Sequence, residues 1–266
     1  MTDVTNVTAV AADATGATDN VAAPTAPADT SDNAAAGWAG PIDAQLETQV
    51  RELLDDAGKD LLIPIVQAGE PVLRQQAQRY EGQLEAGTLR RLVEAMRVTM
   101  LAAPGVGLAA PQIGLPLTMA VVEDHVRKNR GKEPAAAGAD DPNYADPREI
   151  VEFPFHAIIN PVYEPMPEAG QASFYEGCLS MDGYQAVRRR WLDVIARWQD
   201  EDGVAHEERL HGWPARIFQH ETDHLHGELY IDQAQLRSLT NYANLRTLWS
   251  ADVRPTAAAE ALGFEL

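Results

Sequence analysis

The sequence HETDH at residues 220–224 has the spacing of a metal site on a helix. Side chains four residues apart lie on one face of a helix, so the two imidazoles can bind the same metal ion. Glu221, between them, can act as a general base toward water at that metal. A histidine-rich surface helix is the alternative, but Ile217 and Phe218 just upstream indicate a buried helix.

A catalytic metal usually has three protein ligands and an open position, so a third ligand is needed. In one group of metallopeptidases it is a histidine six residues past the second, but Tyr230 stands there. In another it is a downstream glutamate: Glu228 is too near, and Glu260 and Glu265 lie in a weakly patterned tail. Cys178, the only cysteine, would complete a Cys-His-His set. A lone cysteine is more often a buried structural residue, and that alternative stands beside the ligand hypothesis.

The third motif is GVGLAAPQIG at residues 105–114. It matches the loose dinucleotide-binding pattern GxGxxA, but it follows a predicted helix rather than a strand, and Pro111 interrupts any helix that continues from it. A glycine-permitted loop close to a ligand, with the Gln112 amide as donor, is a second interpretation. An ordinary glycine turn is the third.

Taken together, the three motifs resemble those of the peptide deformylase family. They read GVGLAAPQ at 105–112, EGCLS at 176–180 and QHETDHLHG at 219–227, in the family's order, and GEPVLR at 69–74 resembles its N-terminal motif. The resemblance runs from about residue 62 to 235. It implies an α+β fold, with antiparallel β-sheets packed around a central helix that carries HExxH. It also implies an enzyme that removes the N-formyl group from the N-terminal methionine of newly synthesised polypeptides and releases formate.

The resemblance further implies one divalent metal ion held by Cys178, His220 and His224, with Glu221 as general base and acid. Ferrous iron is the family's usual metal, and zinc, nickel or cobalt can replace it. Thiolate ligation adds negative charge at the metal and makes a site oxidisable. His226 stands where the family commonly has Asp, and we expect it to be a surface residue rather than a fourth ligand.

Other site residues follow from the same resemblance. The Gln112 side chain and the Leu179 backbone N–H are expected to stabilise negative charge on the formyl oxygen. Glu176 is expected to pair with Arg190 on the next strand. Three residues are expected to line the site and bind the substrate backbone as an added strand, namely Val106, Gly107 and Gly177.

Composition limits the remaining function classes. The 266 residues carry a net charge of −19, and a field of that sign repels nucleic acid and anionic lipid. No apolar run is long enough for a membrane span. There is no Lys or Arg before Arg51, so the basic start of a targeting peptide is missing and we expect a cytoplasmic protein.

Three regions are predicted along the chain. Residues 1–40 are an acidic Ala/Thr-rich extension that should be disordered, 41–250 form the catalytic domain, and 251–266 are a C-terminal tail. The expected partners are N-formylmethionyl nascent peptides. Some family members dock on the ribosome through a basic C-terminal helix, but residues 240–266 contain two basic and three acidic residues. Any ribosome contact should therefore be transient and of another kind.

The elements that must position these residues are a few helices and strands. Helices are predicted from about Leu46 to Gly58, after a cap at Thr88, from residue 213 towards 227, and over 240–249. Strands are predicted at 117–122 and 157–159, and residues 184–198 read as a hairpin that turns at 188–190. Residues 124–149 read as a surface excursion.

Two other functions remain open at this point. One is a metallopeptidase that cuts internal bonds. The other is a non-catalytic binder of nascent N-termini, although a binder has no need of a general base such as Glu221.

Overall fold

The computed structural model describes residues 37–125 and 146–266. The predicted disorder of the N-terminal extension, up to residue 36, and most of the predicted surface excursion lie outside the described residues. Trp38 falls within the predicted extension, but it has a ring that can be buried. That ring packs edge-on against Tyr80, with 4.7 Å between the ring centroids, and its Nε1 donates to the Glu201 carbonyl at 3.2 Å.

Two helices precede the first strand. Helix α1 spans Ala44–Asp56 and is capped by the Asp43 carboxylate, and helix α2 spans Ala86–Ala102. The expectation that Thr88 caps α2 is wrong, because the helix begins at Ala86 with Glu85 in the N-cap position, and Thr88 lies inside its first turn. The Thr88 hydroxyl is buried and donates to the Glu47 carboxylate of α1. It therefore links the two helices.

The strands of the described residues form two antiparallel sheets. Their bounds are β1 Gly107–Ala109, β2 Met119–Asp124, β3 Phe153–Pro165, β4 Gln171–Gly177, β5 Tyr184–Trp191, β6 Asp193–Gln199, β7 Ala205–His211 and β8 Gln235–Asn241. The larger sheet has the order β1-β2-β3-β6-β7, and the smaller has the order β4-β5-β8. Strands β1 and β4 each lie at an edge of their sheet.

The predicted hairpin over 184–198 is wrong. Both segments are strands, but β5 pairs with β4 and β8, whereas β6 pairs with β3 and β7. The chain changes sheet at Leu192, and residues 188–190 lie within β5. Charge suggested a turn there, but Arg190 is buried because acidic side chains bind it.

Helix α3, Gly212–Leu225, contacts strands of both sheets. Its apolar residues Ala215, Phe218 and Leu225 are fully buried, in a core shared with Val194 and Trp198 of β6. The α+β class with antiparallel sheets is confirmed by the architecture. Within residues 37–125 and 146–266, no helix has both the length and the apolar character needed to cross a membrane.

The C-terminal region differs from its prediction. Residues 240–241 belong to β8, and the helical turn that follows, Tyr242–Asn244, continues as a π-helical turn at Leu245–Trp249. The predicted tail contains a further helix, α4, at Thr256–Leu262. Ala258 and Ala259 of α4 are buried, and the helix packs on β8, so the alanine-rich composition provides a small buried face.

Candidate metal centre

Three soft or borderline ligand atoms meet where β4 ends beside helix α3. One ligand atom from each of Cys178, His220 and His224 lies within 4.8 Å of the others. The Cys178 Sγ is 3.3 Å from Nε2 of His224, and the two imidazole centroids are 5.0 Å apart. Helical spacing brings the histidines together, and the strand end brings the thiol to them.

Glu176 orients the His220 ring by binding its Nδ1 atom. The Nδ1 of His220 lies 3.1 Å from Oε2 of Glu176, which leaves Nε2 to face the thiol side. The expected pairing with Arg190 is present as a bidentate contact, at 2.7 Å and 2.9 Å. Arg190 also donates to Asp223 at 2.8 Å. A carboxylate on the outer nitrogen of a histidine is the usual way of fixing the tautomer of a metal ligand.

Arg216 is, after Arg190, a second arginine that forms a salt bridge with Glu176, and the sequence analysis missed it. Its Nη1 donates to Glu176 Oε1 and, at 3.0 Å, to the Arg188 carbonyl. Its Nη2 donates to the Ala172 carbonyl at 2.6 Å, and the guanidinium carbon lies 5.0 Å from the centroid of Phe174. The signal in the sequence is its place four residues before His220, on the same face of the helix.

The site has an electrostatic field that favours a cation between the thiol and Glu176. Burial alone would lower the pKa of His220, but Cys178 and Glu176 raise it to about 10. Burial lowers the pKa of His224 well below its usual value, with neighbouring cations adding to the effect. A lowered pKa favours the neutral imidazole, which is the form that ligates metals.

Glu221 lies on the adjoining part of α3 and is buried, with 4% of its surface exposed. Its Oε2 has no hydrogen-bond partner within the described residues. Burial raises the pKa of Glu221 to about 7. A carboxyl group with that pKa can take up and return a proton near neutral pH, as general acid–base catalysis requires.

The two predicted oxyanion donors lie beside the cysteine. Gln112 is almost fully buried, and its orientation is fixed because Oε1 accepts from the Ala109 N–H at 2.8 Å. Its Nε2 lies 3.4 Å from the Cys178 Sγ and 3.3 Å from the Ser180 Oγ. Leu179 immediately follows the cysteine. Its carbonyl accepts from the Gln67 side chain at 3.0 Å.

Most of the predicted site residues line a cavity of about 350 Å³. Gln112, Leu179, Glu221, Cys178 and His220 line it, as do the three predicted substrate-binding residues Val106, Gly107 and Gly177. Gly107 belongs to β1 and Gly177 to β4. Both strands are sheet edges, so each has backbone groups that an extended peptide can pair with.

His226 is exposed at the end of α3, and its Nδ1 lies 2.9 Å from the Thr222 carbonyl. Tyr230, at the place where some metallopeptidases have a third histidine, stacks on His220 with 6.3 Å between centroids. Its hydroxyl donates to the Tyr184 carbonyl at 3.1 Å. Neither residue belongs to the cluster of possible ligands found among the described residues.

The residues present fit a divalent metal. The donor set is one sulfur and two imidazoles, which suits iron, zinc, cobalt or nickel rather than magnesium or calcium. The Glu176 carboxylate contacts one imidazole, and beside the cluster a buried carboxylate oxygen of Glu221 has no partner in the part of the chain that the structure describes. The three donors also leave coordination positions for water and substrate.

Comparison with known proteins gives consistent similarities over most of the chain. A family model described as polypeptide deformylase matches residues 62–239. A peptide deformylase of Bifidobacterium adolescentis is 63% identical over 225 residues, which is 85% of this chain and 97% of that protein. Peptide deformylase 1 of Streptomyces coelicolor is 49% identical, over 83% of this chain and 94% of that protein.

Solved structures are similar in fold as well. The Met-Ala-Ser-bound class I type b peptide deformylase from Acinetobacter baumannii has a TM-score of 0.53 and 28% identity, and the match covers 65% of this chain and 99% of that one. Peptide deformylase from Thermotoga maritima has a TM-score of 0.50 and 32% identity, over 65% of this chain and 97% of that one.

Proposed function

The chain belongs to the polypeptide deformylase family, hydrolases that remove the N-formyl group from nascent polypeptides, and on that premise we propose which residues perform the reaction. Cys178, His220 and His224 hold the metal, and Glu221 is the general base and acid. The meeting of the three donor atoms within 4.8 Å, beside the buried Glu221, carries this proposal.

A divalent ion held there would act as a Lewis acid toward water and the formyl carbonyl. We propose Fe²⁺ as the native ion, with Zn²⁺, Ni²⁺ or Co²⁺ able to replace it. A thiolate with two imidazoles suits any of these ions, and the choice of iron rests on the family resemblance. Glu176 supports the set, because its contact with Nδ1 holds the His220 ring in the orientation that a ligand needs.

Glu221 transfers a proton from water to the leaving amine during the reaction. It accepts a proton from the water that attacks the formyl carbon, and a pKa of about 7 lets it do so near neutral pH. It then delivers that proton to the leaving amine when the carbon–nitrogen bond breaks. Water and the formylated peptide are consumed, and formate and a free N-terminus are produced.

The formyl oxygen gains negative charge as the water attacks. The Gln112 amide and the Leu179 N–H donate to that oxygen, and loss of one such donor typically lowers the rate by about 10²–10³-fold. The contact between Gln112 and the Ala109 N–H orients the amide in advance. Burial keeps competing water away from it.

The substrate is bound as an added strand in this proposal. Val106 and Gly107 lie at the edge strand of the larger sheet, and Gly177 lies at the edge strand of the smaller one. Peptide backbone groups can pair with either edge. Nascent polypeptides are made in the cytoplasm, so we infer that the enzyme acts there and meets the ribosome only transiently.

The direct test is formate release from formyl-Met-Ala by protein loaded with metal under anaerobic conditions, compared with a Glu221→Gln variant. We expect release by the wild type and a fall in kcat of about 10²–10⁴-fold in the variant, with the metal retained. A variant that keeps its metal and its full rate would contradict the role of Glu221. Cleavage of an internal bond without formate would instead favour a metallopeptidase.

A further inference from the structure

The catalytic cavity has one wall that lies beyond the family match. That match ends at residue 239, whereas the lining of the cavity continues to Val253. We call residues 242–253 the C-terminal wall. Its lining side chains are Tyr242, Leu245, Trp249, Ser250, Asp252 and Val253. The same cavity is lined by Cys178 and Glu221, so this wall borders the space in which the substrate reacts.

The C-terminal wall presents one face to the cavity. Tyr242, Leu245 and Trp249 recur every three or four residues, which is the spacing of one face of a helix, and Val253 follows in the bend after the helical turns. Trp249 ends a π-helical turn, and such turns are rare and frequently occur at functional sites. Leu248, in the same turn, has 55% of its surface exposed and does not line the cavity.

The C-terminal wall is held at both ends. The Tyr242 N–H donates to the Gly183 carbonyl at 3.1 Å, and the Asn241 side chain accepts from the Asn244 N–H at 2.9 Å. Beyond the wall, helix α4 packs on β8, and its residue Ala258 is buried. A segment anchored in this way can hold a fixed apolar surface against a ligand.

We propose that the C-terminal wall binds the side chain of one of the two residues that follow the formylmethionine, and that it favours a large apolar side chain there. This inference rests on the deformylase activity. The formyl group has to reach Glu221, so the rest of the peptide must continue through or out of the same cavity. A large apolar side chain that packs against Trp249 inside the cavity would be removed from water.

The test compares kcat and KM for formyl-Met-Ala-Ser, formyl-Met-Phe-Ser and formyl-Met-Ala-Phe. We expect the wild type to have a higher kcat/KM when phenylalanine occupies one of the two positions. Trp249→Ala should reduce that preference by about three- to tenfold, through KM, because an apolar contact is lost. The matched control Leu248→Ala should keep the preference.

Leu245→Ala provides the same test if Trp249→Ala does not fold. The inference would be overturned if the ratio of kcat/KM for the phenylalanine peptides to kcat/KM for formyl-Met-Ala-Ser were the same in the wild type and in the wall variants. An equal loss of preference in Leu248→Ala would overturn it too, because the effect would then be general. A metal-loaded wild type that releases no formate from any of the three peptides would contradict the deformylase function itself, which is a separate outcome.

Discussion

A β-carbon on Gly107 would lie 2.1 Å from Oε1 of Glu221. Real side-chain atoms do not approach so closely, so strand β1 can lie against this carboxylate only because residue 107 has no side chain. Glu221 is buried and lines the cavity, so a side chain at position 107 would force its carboxylate to move from its place. The position of the proposed general base therefore depends on the glycine.

We predict that Gly107→Ala lowers kcat by about 10²-fold, because displacing a catalytic group by about 1 Å is enough for such a loss. Metal content should remain as in the wild type, since residue 107 is not among the proposed ligands. Gly87→Ala is the matched control, because a β-carbon at position 87 meets no atom within 4 Å. Kinetics with formyl-Met-Ala, together with metal analysis, checks the prediction, and an unchanged kcat in Gly107→Ala would contradict it.

A second prediction concerns Arg216. Arg216→Met removes one of the two cations on Glu176, so the carboxylate should hold the His220 ring less firmly. Loss of such an outer contact typically weakens metal affinity by about 10–100-fold. Competition with a chelator would measure the affinity, and the visible absorption of the Co²⁺-loaded protein would report a changed ligand geometry.

Two further variants sharpen that test. Arg216→Lys keeps the positive charge but lacks the planar guanidinium group, and its metal affinity should lie between those of Arg216→Met and the wild type. Arg197→Met removes a half-exposed arginine that pairs with Glu164 and Glu207, and should leave the metal affinity unchanged. If Arg216→Met binds the metal as tightly as the wild type, with the same Co²⁺ spectrum, Arg216 has no positioning role.

A third prediction concerns the dependence of stability on pH. Asp193 is buried and binds His211, an interaction that raises the pKa of His211 above 6.5. Burial opposes ionisation of Asp193, but the contacts with His211 and Arg209 hold its pKa below 3.8. The stabilisation from His211 is complete below its unfolded pKa and is lost as the pH rises through the folded value. The stabilisation from Asp193 is lost as the pH falls through its lowered pKa.

His211→Ala should therefore destabilise the protein more at about pH 5.5 than at about pH 9. Thermal unfolding of the wild type and the variant at the two pH values measures this difference. Substitution of His206, a half-buried histidine of the edge strand β7 that pairs with Asp200, serves as a comparison. An equal difference in Tm at both pH values would mean that the charge of His211 does not contribute.

The local part of the site was predictable from the sequence. Four-residue spacing on a helix brings His220 and His224 together, and the structure has their rings 5.0 Å apart. The position of Cys178 was not predictable from spacing, because it depends on how β4 packs beside α3. The family resemblance supplied that expectation. Arg216 was missed because a buried arginine is uncommon, although its register on the helix matches that of His220.

The errors in the fold have a common origin. Alternation over residues 184–198 correctly indicates strands, but it does not say which sheet each strand joins, and β5 and β6 separate at Leu192. Three consecutive arginines suggest a turn only if they are solvated, whereas Arg190 is paired with Glu176 and Asp223. Alternation and charge are local signals, and both errors arose from long-range contacts.

The most direct test of the proposed metal centre is metal analysis and formate release on one anaerobically purified sample, for the wild type and for Cys178→Ala. The account predicts about one divalent ion per wild-type chain and rapid formate release, because one sulfur and two imidazoles form a single site. Cys178→Ala should lose most of the metal and the activity together. A Cys178→Ala protein that retains the full metal content and the full rate would contradict the proposed ligand set.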